Sequence, residues 1–240
     1  RSVAALRPEI AVLLNIDLDH HATFGSRAAV ERLFEDWLAN VPHVVRAEEL
    51  QPLELELAVR GEHNRLNASA ALAALELAGV DREDALRVLP GFTGVGRRLE
   101  SKGTAGGVEV LDSYAHHPAE IAADIAAVRN GGRVLALFQP HLYSRTVHLA
   151  HDFALALATA DAACVTDIYP ARESPLPGVT GRLIVDGLGG VRPGMRIGWA
   201  PDVDDAARLV AGWARSGDTI ITLGAGDVDR AAPLILELVG

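Results

Sequence analysis

The stretch DSYAHHPAE, residues 112–120, brings an acid, a phenol, two adjacent imidazoles and a glutamate into one short segment. Imidazoles exchange protons near neutral pH, so such a set is suited to holding a metal, moving a proton or gripping a polar ligand. Adjacent side chains diverge, which argues against chelation by both His116 and His117. Pro118 suits a first helical position and Glu120 a first turn. HPAE therefore reads as a helix start that presents backbone N–H groups, and hydrogen bonding to a polar ligand there is expected. Asp112, Tyr114, His116 and His117 are not required by a helix start and remain for chemistry.

Four other polar clusters have the same setting. NIDLDHH, QPHLYSRT, DIYPARE and GAGD each follow an apolar run. In sheets whose strands run parallel, ligands bind at the carboxyl ends of the strands, so these clusters are expected along one functional edge. GAGD lacks the third glycine of a dinucleotide fingerprint and reads as a tight turn.

The elements that must position these clusters follow from periodicity. PEIAVLLNI reads as a buried strand, and SRAAVERLFEDWLANV has helical spacing behind a Ser26 cap. LELELAV alternates with period two and reads as a half-exposed strand. HNRLNASAALAALELAG is expected to be a helix closed by Gly79, and DREDALRVLPGF a second one stopped by Pro90 and Gly91. From Gly107 onward, GVEVLDSY, GRVLALFQ, DAACVTDIY and DTIITLG read as strands. Helical stretches lie between or after them: PAEIAADIAAVR, TVHLAHDFALALATA, DVDDAARLVAGWARSG and DRAAPLILELVG. This alternation predicts a doubly wound α/β domain with a mostly parallel sheet. TGVGRRLESKGTAGG, rich in glycine and charge, is expected to be the linker, with domains over 1–96 and 97–240.

A chain of 240 residues can bury a substantial core. Its formal charge of −10 argues against nucleic acid, because phosphate-backbone binding needs a basic face. Small anionic ligands remain compatible where Arg97, Arg98, Arg145 or Arg172 gather. No apolar run is long enough to span a bilayer, and the N-terminus lacks the order of a signal peptide. The single cysteine, Cys164, excludes internal disulfides and fits a reducing, cytoplasmic setting. Oligomeric state has no signature in the sequence.

Six motifs in order, NIDLDHH, GEHNRLN, GVGRRLE, DSYAHHPAEI, FQPHLYSRT and ITLGAGD, resemble the Mur ligases, which build the peptidoglycan stem peptide. QPHLYSRT is more similar to the member that adds L-alanine than to the one that recycles a preformed tripeptide. The resemblance implies part of a P-loop-type, ATP-binding central domain, most of it ahead of Arg1, followed by a dinucleotide-fold-like domain that brings the amino acid. It also implies ATP and Mg2+ as cofactors, with L-alanine joined to the carboxylate of UDP-N-acetylmuramate through an acyl phosphate.

On the same basis His20 corresponds to a catalytic histidine near a magnesium ion, although histidine is not a typical ligand for that ion. Without the resemblance, Asn15 and Asp19 would cap the loop and His20 would pack. Asn64 and Asn67, three apart on one helical face, correspond to adenine-binding residues; Asn64 alone would read as a helix cap. Arg98 corresponds to a nucleotide-contacting catalytic arginine, with Arg97 beside it, and Asp112 to an acid near the ribose. Tyr114, His116 and Arg145 correspond to alanine recognition, where a guanidinium can hold a carboxylate in two parallel bonds. His116 is also counted among the catalytic residues. Because successive parallel strands often lie side by side, the DSYAHHP and QPHLYSRT loops are expected to converge.

The sequence departs from the family pattern in several places. No GxxxxGK[ST] loop is present, and Lys102 is the single lysine. The acidic magnesium ligand expected just ahead of Arg1 lies outside these residues. The stretch between FEDWLANVP and LELELAV is shorter than usual, and Leu142 stands where many relatives have arginine. These departures leave open a tripeptide-recycling ligase or a non-catalytic nucleotide- or partner-binding module.

Overall fold

A computed structural model describes residues 2–18 and 24–240. The chain divides into two compact units, Arg1–Thr93 and Gly94–Gly240.

In the first unit, strands β1 (Ile10–Leu13) and β2 (His43–Arg46) pair in parallel. Helix α1 (Arg27–Leu38) starts at Ser26, whose hydroxyl accepts the Ala29 N–H. Helix α2 (Glu62–Leu77) closes on Gly79 at φ +86°, with Val80 N–H on the Leu75 carbonyl and Gly79 N–H on that of Glu76. That pair of bonds is a Schellman cap. Helix α3 (Arg82–Val88) is capped by Asp81 and runs into a short 3₁₀ turn, Leu89–Gly91. The LELELAV segment is not a strand. Its leucines are half-buried and its glutamates exposed, as the alternation requires. However, the N–H groups of Leu53 and Ala58 go to the carbonyls of Arg65 and Pro90, so the segment lies against helix and loop.

The second unit is the doubly wound domain. Strands β3 (Glu100–Ala105), β4 (Val108–Ser113), β5 (Val134–Phe138), β6 (Ala162–Val165), β7 (Arg196–Trp199) and β8 (Thr219–Leu223) form one sheet in the order β3-β4-β8-β5-β6-β7. Only β3 runs antiparallel, and it falls within the stretch expected to be linker. A two-residue hairpin through Gly106 and Gly107, both at positive φ, turns it into β4. Helices α4 (Pro118–Ala127), α5 (Tyr143–Leu157) and α6 (Arg182–Val191) connect successive strands; α7 (Val203–Ala211) leads to β8, and α8 (Ala231–Val239) follows it.

The core has two layers. Ile121, Ile125, Phe153 and Ile184, from α4, α5 and α6, pack on one set of sheet residues, and Val203, Ala206, Ala207 and Ile235, from α7 and α8, on the other. Strand β5 alternates between them, with Ala136 and Phe138 in the first and Leu135 and Leu137 in the second. Each fully buried large aliphatic or aromatic side chain stabilises by roughly 1.5–3 kcal/mol. Cys164, on β6, has no exposed surface, and burial pushes its thiol pKa up to about 12.

Candidate functional site

The loops leaving β4, β8, β5 and β6 follow one another along the carboxyl edge of the sheet. Strand β8 separates β4 from β5, so the DSYAHHP and QPHLYSRT loops do not leave neighbouring strands, as the sequence reading assumed. They meet nonetheless, with the His116 and His141 rings 6.1 Å apart. The glycines of GAGD, which follow β8, keep the space between them low. A Cβ on Gly226 would stand 2.3 Å from Gln139 Oε1 and 2.6 Å from Tyr169 Cγ.

Arg97 ties this edge together. Its Nε donates to Asp112 Oδ2 at 2.9 Å, and its terminal nitrogens donate to the carbonyls of Gly226 and Gly224 at 2.9 and 2.7 Å. Asp112 is fully buried, and its other oxygen accepts the Thr222 hydroxyl at 2.6 Å. Its place in the structure is therefore an anchor beneath Arg97. Arg98 is more exposed, with Nη1 3.5 Å from Glu120. The Arg97 and Arg98 guanidinium carbons lie 5.3 and 5.6 Å from the centre of the Tyr114 ring, within cation–π range. Arg97 and Leu99 have positive φ. Such strain in a non-glycine residue persists only where its surroundings hold it, and the Arg97 contacts do so.

The helix start after DSYAH is occupied by the chain itself. Glu120 accepts the N–H groups of both His116, at 3.0 Å, and His117, at 3.2 Å, and the Ala115 N–H goes to the Ser113 hydroxyl. Two of the N–H groups just ahead of α4 are therefore taken by Glu120, within the chain itself. Ser113 in turn donates to the buried Asp124 on α4 at 2.5 Å, which fixes the loop from below.

What the loop presents is the side chains of Tyr114 and His116, whose rings meet edge to face at 5.3 Å. His116 Nδ1 lies 2.8 Å from the Tyr114 carbonyl. Across the GAGD turn, His141 stacks on Tyr169 at 5.8 Å, and its Nδ1 lies 3.1 Å from Arg145 Nη1. Arg145 is nearly buried. Tyr114, His116 and Arg145 thus stand in one line of contacts completed by His141, which the sequence reading did not single out although it lies within QPHLYSRT. Tyr169 and Glu173 were likewise passed over in DIYPARE. Glu173 caps α5, accepting the Ser144 N–H at 2.9 Å and its hydroxyl at 2.5 Å. Burial works to raise its pKa, but the Ser144 and Tyr143 donors and the Arg145 charge outweigh burial and hold it below the usual carboxylate value. Leu142 starts α5 at φ +72°, with its N–H on the Tyr169 carbonyl.

Asn64 and Asn67 lie on α2, in the other unit. Asn64 Nδ2 donates to the Arg60 carbonyl at 2.6 Å, whereas Asn67 is exposed. The N-cap of α2 is Gly61, so Asn64 is not the capping residue. His20 and Asp19 lie outside the described residues. Among those described, no three carboxylate, imidazole or thiolate groups form a metal cluster, and no helix is long and apolar enough to cross a membrane.

A domain of this topology, with its polar edge built from these loops, defines a class. The family model described as "Mur ligase, glutamate ligase domain" matches residues 97–226, and the chain belongs to the Mur ligase family. The match begins at Arg97 and ends at Gly226, two residues joined by a hydrogen bond in the structure.

Among its relatives, the UDP-N-acetylmuramate–L-alanine ligase of Streptomyces coelicolor is 39% identical over 290 residues, covering 99% of this chain and 62% of that protein. The ligase of the same name from Mycolicibacterium smegmatis is 47% identical over 202 residues, 82% of this chain and 41% of that protein. The crystal structure of UDP-N-acetylmuramate–alanine ligase from Thermotoga maritima superposes with a TM-score of 0.74 at 24% identity, covering 98% of this chain and 60% of that one. The matches thus take in about three fifths of the Streptomyces and Thermotoga proteins and about two fifths of the Mycolicibacterium one. The alignment to the Streptomyces protein is longer than the chain, so that relative carries residues absent here.

Proposed function

We propose that the chain supplies the amino-acid-binding domain, and part of the nucleotide-binding domain, of a cytoplasmic ligase that joins L-alanine to the carboxylate of UDP-N-acetylmuramate. The observation that carries this reading is the line of contacts from Tyr114 through His116 and His141 to Arg145. It places a nearly buried guanidinium and two imidazoles on one sheet edge, a combination suited to a small molecule with both a carboxylate and an amine. The names of the relatives support the same substrates.

ATP would supply the phosphoryl group that converts the sugar-nucleotide carboxylate into an acyl phosphate, the electrophile for the amine. Toward that chemistry Arg145 holds the amino-acid carboxylate, and Tyr114 and His116 close around its short side chain. Arg98 offers an exposed cation to the nucleotide phosphates, and Asn67 an exposed amide to the adenine edge. Asp112 serves by anchoring Arg97, because its oxygens are buried and already bonded. Among the described residues no three carboxylate, imidazole or thiolate groups gather, and His20, expected near Mg2+, lies outside those residues.

The test is ADP release and product mass from a complete ligase carrying this chain, given UDP-N-acetylmuramate, ATP and either L-alanine or a preformed tripeptide. L-Alanine should be the substrate used. Use of the tripeptide alone, or of neither, overturns the reading. The 240 residues by themselves, lacking a GxxxxGK[ST] loop, should form no product.

A further inference from the structure

We infer that Asp124, a buried carboxylate on α4, is a positioning residue that sets the direction of the His116 ring through Ser113 and a single peptide plane, a role that rests on the amino-acid reading of the site.

Asp124 stands where stability alone favours an apolar side chain. It lies on α4 between Ile121 and Ile125, both without exposed surface, and is itself only 8% exposed. Burying a carboxylate is costly unless hydrogen bonds hold it, and an apolar residue of similar volume often serves a core as well or better. What the acid adds there is a directed bond. Ser113, fully buried at the end of β4, donates its hydroxyl to Asp124 Oδ2 at 2.5 Å.

A serine hydroxyl has one proton to donate and lone pairs that accept. With the proton turned toward Asp124, the lone pairs are left for the Ala115 N–H, which reaches the same oxygen at 3.2 Å. Consecutive hydrogen bonds of this kind polarise and strengthen one another. The Ala115 N–H belongs to the peptide unit that begins with the Tyr114 carbonyl. That unit is planar and trans, so its N–H and C=O point in opposite directions. Anchoring the N–H therefore aims the carbonyl, and the carbonyl lies 2.8 Å from His116 Nδ1. Because a carbonyl only accepts, Nδ1 carries the proton and the ring's direction is fixed. The Tyr114 N–H on the Arg97 carbonyl, and the His116 and His117 N–H groups on Glu120, hold the backbone to either side. The bond to Ser113 holds the peptide that meets the ring.

The experiment uses Asp124→Ala, Ser113→Ala, the double variant, and the exchange of Ser113→Asp with Asp124→Ser. The exchange keeps one hydroxyl facing one carboxylate across the same number of bonds, with a carboxylate oxygen now accepting the Ala115 N–H. ¹⁵N NMR of the 240-residue chain reads the His116 ring. A proton on Nδ1 is expected in wild type and in the exchange variant, and a signal averaged between Nδ1 and Nε2 in the alanine variants. In the complete ligase, either alanine variant should lower kcat/KM for L-alanine about ten- to hundredfold, with the KM for ATP within about twofold. The double variant should lose no more than either single one, since both act through one route, and the exchange should restore activity. An alanine variant that loses alanine turnover while His116 keeps its Nδ1 proton would make Asp124 merely structural and overturn the inference. So would a folded alanine variant with wild-type kcat/KM. Wild type without alanine-dependent ADP release would instead overturn the ligase reading, leaving the imidazole signals to decide the relay. Should the alanine variants not fold, wild type and the exchange variant decide: a His116 proton on Nε2 alone in either rules the relay out.

Discussion

The Arg97 guanidinium rests 2.9 Å from Asp112, a carboxylate with no exposed surface, and reaches past it to two carbonyls of the GAGD turn. One side chain thereby binds the start of the domain to the ends of β4 and β8. Taking away the acid would leave the guanidinium with Asp229, 3.9 Å away, as its carboxylate partner, and the Thr222 hydroxyl with the more distant Leu111 carbonyl at 3.3 Å.

Asp112→Ala should therefore cost about 1.5–3 kcal/mol, the range for a lost hydrogen bond to a charged group, because Arg97 is partly exposed and keeps Asp229 and two carbonyls. Asp112→Asn should cost less, because an amide can still accept from Thr222. Chemical denaturation of the 240-residue chain measures both. A loss below about 1 kcal/mol for the alanine variant would show that Arg97 does not depend on this anchor.

Arg145→Met should raise the KM for L-alanine at least about tenfold, because charge-assisted hydrogen bonds contribute roughly 1.5–3 kcal/mol each. Leu142, in place of a second arginine, brings no charge to share the carboxylate. The KM for ATP should stay within about twofold. Normal alanine saturation in the variant would make Arg145 a structural residue.

Gly226→Ala should weaken both the fold and alanine binding, because the new methyl would overlap Gln139 Oε1 and Tyr169 Cγ and push Tyr169 away from His141. Overpacking of this kind costs about 1–3 kcal/mol. Gly189→Ala is the control, since a methyl there meets nothing within 4 Å and its backbone is helical. Equal melting temperatures for the two variants would mean that the GAGD turn tolerates bulk.

Glu173 predicts an acid limb in the stability curve. Its pKa in the fold lies below the ordinary 4.5, so it stabilises the native state above that value, and the contribution is lost as pH falls through the lowered pKa. Glu173→Gln should lower the melting temperature at pH 7 and bring the variant and wild-type curves together in acid. Parallel curves from pH 7 to about pH 3 would show that the carboxylate charge is not used.

The sequence was informative where one local rule governed. Ser26, Gly79 and Pro118 mark helix ends because capping depends on a few neighbouring residues. The buried strands β4, β5, β6 and β8 stand out as apolar runs. Elements stabilised by close backbone approach were harder to read. Helix α6 contains Gly187, where a Cβ would crowd Ala154, and β7 contains Gly198, where one would collide with Leu209 and Trp213. In sequence both glycines look like turn residues. Strand β3 was hidden by its charge, although the Gly106–Gly107 pair is a hairpin signal. At the site, motif order selected Tyr114, His116 and Arg145. Motif order could not reveal that β8 lies between their strands, or that Glu120 closes the helix start, because both depend on contacts distant along the chain or on side-chain direction.

The burial of Cys164 has a practical use. As the single thiol of the chain, enclosed in the sheet and protonated at any moderate pH, it should react with a soluble disulfide or maleimide only when the sheet opens. Labelling speed is then a clock for opening of the second unit. A molecule that binds the folded edge slows the clock by a factor set by its affinity and concentration. Candidate amino acids can therefore be ranked on the unmodified chain by mass spectrometry, without turnover.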